Sequence, residues 1–214
     1  MGSDPMPMHE SMTMPLLPQW LAITWAVVLV GVTAVHVWHA WAMRGQPRWW
    51  HIGHTTMALG MAAMYLLPAM SHPGFARFGL TAFGVISLGV MSTAVLHWWR
   101  EGVANPLWLA TTVDMLAMTY MFLPMANWIP VITGVLVGYL CLQTIAWATN
   151  LWARIPLYAG NTTTSGTPAV TDGPGTANSR AFTSRVGLTA ITDGSVRATL
   201  AIMAAGMAYM LLAM

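Results

Sequence analysis

Six stretches of this chain, near residues 19–42, 51–71, 77–98, 106–126, 128–152 and 196–214, are long, apolar and almost without formal charge. A helix needs roughly 20 mostly apolar residues to cross a bilayer. Within all six, only Arg77, Asp114 and Arg197 carry a formal charge. Lipid offers no partner to a backbone amide, so a spanning segment must satisfy its own, as a helix does. The expected fold is therefore all-α: an integral membrane helical bundle of about six transmembrane helices. Composition agrees, with 57% hydrophobic and 7% charged residues, where soluble chains average about 25% charged. Lys is absent, so the net charge of +2 rests on Arg. Scattered Arg make no basic patch, and nucleic acid is not an expected partner.

The arginines orient the bundle. With the N-terminus outside, Arg44, Arg48, Arg100, Arg154, Arg180, Arg185 and Arg197 fall on the inner side and only Arg77 on the outer. The positive-inside rule then places both termini outside the cytoplasm. Four parts are expected: a Met-rich extracytoplasmic tail (1–17), a five-helix membrane bundle (18–153), a flexible cytoplasmic linker (154–194) and a sixth transmembrane helix (195–214). The tail lacks a basic segment, so no cleavable leader is expected. The linker is rich in Gly, Ser, Thr and Pro. Trp20, Trp41, Trp49, Trp50, Trp98, Trp99, Trp108, Trp128 and Trp152 lie near span ends, as an interfacial belt requires. Pro47, Pro73, Pro106 and Pro130 mark loops or helix starts, and Pro68 is expected to bend the second span. Gly134 and Gly138 form a GxxxG pair suited to close helix packing.

Methionine supplies the candidate chemistry. The chain holds 19 Met and 1 Cys. Met57, Met61 and Met64 form one stripe, Met118, Met121 and Met125 a second, and Met203, Met207, Met210 and Met214 a third. Steps of three and four residues put each set on one helix face. The three spans concerned run in the same direction, so the stripes share depth. The tail adds Met6, Met8, His9, Met12 and Met14. Histidines occupy the inner half: His36 with His39, His51 with His54, and His97. Asp114 lies midway. Gln143 and Asn150 share a face of the fifth span and are placed to support the imidazoles. Cys141 reads as buried packing.

Thioether sulfur and imidazole suit Cu(I) rather than Mg or Ca. The sorted path, thioethers outside, one carboxylate midway and imidazoles inside, points to a membrane Cu(I)-binding protein. It would be an importer, or a carrier supplying a cuproenzyme or a copper chaperone, and not an enzyme. The candidate metal residues are the three Met stripes with Asp114, His36, His39, His51 and His54. Met also fills gaps between helices without binding anything, so a structural subunit of a membrane complex is one alternative. A haem b protein with bis-His ligation, His36 with His54 or His97, is another. The competing role for Asp114 is that of a neutral structural acid held by Thr111 or Tyr120, but an ionisable residue inside a span reads first as functional.

The segments HIGHTTMALGMAAMYLLPAM (51–70) and RATLAIMAAGMAYMLLAM (197–214) resemble an actinobacterial family of multi-span membrane proteins labelled only as a domain of unknown function. The resemblance covers most of the chain apart from the tail and linker. It implies a bacterial plasma-membrane location and no particular activity. The tail MPMHESMTMP is similar in type to the Met-rich outer segments of eukaryotic copper importers. Their trimeric three-span architecture does not match six spans, so their mechanism does not transfer.

Overall fold

The computed structural model describes residues 18–67, 72–102, 105–154 and 193–213, and among these every regular element is helical. Six helices carry the architecture: α1 (Gln19–Ala42), α2 (Gln46–Leu66), α3 (Pro73–Glu101), α4 (Pro106–Met121), α5 (Pro130–Ala148) and α6 (Gly194–Ala213). Prolines set most of the boundaries. Pro47, Pro73, Pro106 and Pro130 each stand at the first positions of a helix, where the missing N–H costs nothing. α2 stops at Leu66, and Leu67, the residue before Pro68, has left the helical region, as a residue before proline is driven to do. Pro68 itself, the Met-rich tail, most of the linker and Met214 lie outside the described residues. Gly45 takes φ 73 in the three-residue turn between α1 and α2, a conformation that glycine adopts without strain. Gly102 caps α3 in the left-handed region.

Four helices, α1, α3, α5 and α6, are long and apolar enough to cross a membrane. That set fits a multi-pass membrane protein. The other two fall outside it. α4 has 16 residues, about 24 Å at 1.5 Å per residue. α2 carries Gln46, Arg48, His51 and His54.

The helices pack as neighbours in sequence, α1 with α2, α3 with α4 and α5 with α6, and contacts of α1 with α6 and of α2 with α4 join the pairs. One apolar cluster contains Trp50, Leu107, Trp108, Val196 and Leu200 from the starts of α2, α4 and α6, with Ala94 and Trp147 from the ends of α3 and α5. Successive helices therefore alternate in direction. Because Trp50 also packs on His36 and His54, this end of the bundle is termed the histidine end. Trp50 and Trp108 are buried in that cluster rather than forming part of a belt, while Trp20, Trp41, Trp49, Trp98 and Trp99 are exposed. The outward faces of α3 and α5 carry exposed Phe78, Leu88, Val131 and Leu142, as contact with lipid would require. Cys141 is exposed too, contrary to its expected burial.

Candidate functional site

The thioethers converge. Met57, Met61 and Met64 from α2, Met118 and Met121 from α4, and Met203, Met207 and Met210 from α6 are all buried in one cluster. Met115 belongs to it as well and is fully buried. Sequence reading passed over Met115, although its i−3 spacing from Met118 extends the same stripe. Glycines open the way between helices. A β-carbon at Gly60 would stand 3.1 Å from Met118 Cε, and one at Gly206 would stand 3.0 Å from Met61 Cε. Thus the methyl end of an α4 methionine reaches α2, and that of an α2 methionine reaches α6. Met125 does not join them. The helix ends at Met121, and Met125 sits in a short 3-10 turn after Pro124, 38% exposed. Proline at 124 cannot continue the hydrogen-bond ladder, so the third member of that stripe leaves the face.

Four imidazoles gather at the histidine end. The rings of His36 and His51 meet Nδ1 to Nδ1 at 2.9 Å. His36 also stacks on His54, and His51 on His39, with centroids 5.5 and 5.3 Å apart. His36, His51 and His54 are buried. For uncharged rings, the hydrogen bonds select which nitrogen carries the proton. Thr199 donates its hydroxyl to the Val196 carbonyl at 2.7 Å, so His36 Nε2–H donates to Thr199 Oγ1 at 3.2 Å. His36 Nδ1 then accepts from His51 Nδ1–H. His39 and His54 donate Nδ1–H to the carbonyls of Val35 and Trp50, at 2.8 and 2.9 Å. The lone pairs left over are the Nε2 atoms of His39, His51 and His54. A ring N–H given to a backbone carbonyl is how metal-binding histidines are commonly oriented. His39 Nε2 lies 3.6 Å from Asp193 Oδ2, an ion pair when His39 is protonated. Among the described residues, no three His, Cys, Asp or Glu side chains stand where they could jointly hold one metal ion.

Three residues expected beside the imidazoles are elsewhere. His97 stacks on Trp108 and meets Gln46 at 3.1 Å, away from the other four. Gln143 turns to Asp114 and donates Nε2–H to Oδ2 at 3.0 Å. Asn150 lies past the end of α5 at φ 58 and leaves the face it was expected to share with Gln143. Asp114 is buried, and Tyr139 stands beside it. Thr111 bonds to Trp50, and Tyr120 to Thr133 and Ile129, so neither holds the carboxylate. Asp114 Oδ1 and Gln143 Oε1 are buried without a hydrogen-bond partner among the described residues.

No curated protein and no solved structure matches the chain. Residues 46–214 do match one family model, and by that match the chain belongs to the family described as Domain of unknown function (DUF5134).

Proposed function

We propose that this protein is a bacterial plasma-membrane protein that binds Cu(I) among its buried methionines and passes it to the imidazoles of the histidine end. The observation that carries this reading is the single cluster of nine buried thioethers from α2, α4 and α6. Those donors are soft and neutral, which favours Cu(I) over hard divalent ions. The imidazoles support a handing-on role rather than one tight site. The Nε2 lone pairs of His39, His51 and His54 are individually oriented, yet the rings do not converge on a shared point. Many weak sites suit movement, since an ion must be able to leave each one. Asp114, with one carboxylate oxygen lacking a donor among the described residues, supplies a counter-charge along the way. In this reading all six helices cross the membrane, both termini are extracytoplasmic, and the protein is an importer or a carrier for a cuproenzyme or copper chaperone, not an enzyme.

Anaerobic loading of the purified protein with Cu(I), followed by elemental analysis, tests the reading. Retention of more than one copper per chain is expected, with little Mg or Ca. No retained copper, or equal retention of a hard divalent ion, would reject it.

A further inference from the structure

We propose that Asp114, Gln143 and Tyr139 form a Na⁺ site between α4 and α5. The site does not rest on the copper reading. α5 packs closely on α6 but reaches α4 through long side chains. Two of these, Tyr139 and Gln143, stand one turn apart on the same face of α5. Gln143 donates Nε2–H to Asp114 Oδ2 at 3.0 Å. Tyr139, beside the carboxylate, donates its hydroxyl to the Ala110 carbonyl at 3.2 Å. Asp114 Oδ1 and Gln143 Oε1 are the oxygens left over, and each shares a carbon with one atom of the Asp114–Gln143 bond. Both are buried and without a hydrogen-bond partner among the described residues. Asp114 is 3% exposed and Gln143 6%.

The chemistry of the leftover atoms selects the ligand. An ionised carboxylate and an amide carbonyl only accept, and a phenol whose proton is given away keeps its oxygen lone pairs. A carboxylate, an amide carbonyl and a phenol are hard oxygen donors, suited to a hard cation and not to Cu(I). Charge then chooses among hard cations. One carboxylate carries one negative charge, so a monovalent ion leaves the site neutral. Mg or Ca would leave a net positive charge inside an apolar span, where charge is costly. A water would donate to both oxygens but leave the carboxylate charge unbalanced. Na⁺ satisfies the oxygens and the charge together, and it needs fewer ligands than K⁺. Where the copper reading also holds, Na⁺ and Cu(I) draw on one counter-charge and compete for it.

Binding of radioactive Na⁺ to the purified, copper-free full chain tests the site. The wild type should bind a single Na⁺ per chain saturably, displaced by unlabelled Na⁺ and not by K⁺ at the same concentration. Asp114→Asn should lower the signal to that of protein-free micelles. Tyr139→Phe keeps the ring and removes one oxygen. It should weaken Na⁺ affinity several-fold with helicity unchanged by circular dichroism. Tyr120→Phe is the control. Tyr120 also bridges α4 and α5, through Thr133 at 2.8 Å, but lies outside the site, and its variant should bind Na⁺ as the wild type does. No saturable Na⁺ binding by the wild type would overturn the assignment and leave the two oxygens to a proton or a water. Wild-type affinity in Asp114→Asn or in Tyr139→Phe would overturn it as well. Copper is absent throughout, so failure here leaves the copper reading to its own elemental analysis.

Discussion

Asp114 and Gln143 make one hydrogen bond across 29 residues of sequence, and that bond decides how each behaves. A carboxylate at this depth is costly unless partnered. Gln143→Leu removes the amide donor and leaves Tyr139 as the acid's polar neighbour, which should lower stability by about 1–3 kcal/mol, measured as thermal unfolding in detergent. Asp114→Asn is different. An amide can pair with the Gln143 amide, so the fold should persist while the counter-charge is lost. Cu(I) affinity should then fall on the order of a hundredfold, the equivalent of a few kcal/mol for an unpaired charge in a dry site. Wild-type affinity together with a lower unfolding temperature would make Asp114 a structural acid. The sequence marked Asp114 because a charge inside an apolar span stands out. It did not reveal Gln143 as the partner. Partner choice depends on how α4 and α5 are rotated against each other, and face arithmetic along α5 alone cannot supply that.

Whole helices were legible from hydropathy, and their ends from proline. The four helix-opening prolines were visible as boundaries. Pro124, three residues beyond the end of α4, takes Met125 out of its stripe. Glycine shows the other limit. The pair Gly134 and Gly138 has the spacing for close packing, yet a β-carbon at either meets nothing within 4 Å. Gly60 and Gly79, in no recognised motif, are the ones pressed against Phe83 and Phe122. A small residue permits close approach, but only the neighbour's position tells whether it is used. Opposite signs follow. Gly60→Ala should destabilise the bundle by about 1–3 kcal/mol through overpacking. Gly138→Ala should be neutral or stabilising by up to about 1 kcal/mol, from helix propensity alone. Circular dichroism melts of the two variants side by side check this. Destabilisation by Gly138→Ala would place an unseen neighbour on α5.

At the scale of the molecule, alternating helix direction brings the methionines together. Every second helix runs the same way, so stripes at similar depth on α2, α4 and α6 can face one interior. The sequence carried that much. It did not carry which helices touch, and hence not the approach of Phe83 on α3 to Gly60 on α2. The convergence makes a graded prediction. Leu has nearly the volume of Met and costs less than about 1.5 kcal/mol at a buried site. Met118→Leu alone should bind Cu(I) almost as the wild type does, because eight thioethers of the cluster remain. Met61, Met118 and Met207 come from three different helices and are essentially unexposed, so changing all three to Leu removes a sulfur from each wall at once. The triple variant should remain folded by circular dichroism and lose most of its retained copper in elemental analysis. A loss that grows with each substitution would indicate a chain of interchangeable soft sites. Undiminished copper in a folded triple variant would mean that these sulfurs serve packing, where flexible Met fills irregular gaps between helices, and that the ion, if bound, is held by the imidazoles alone.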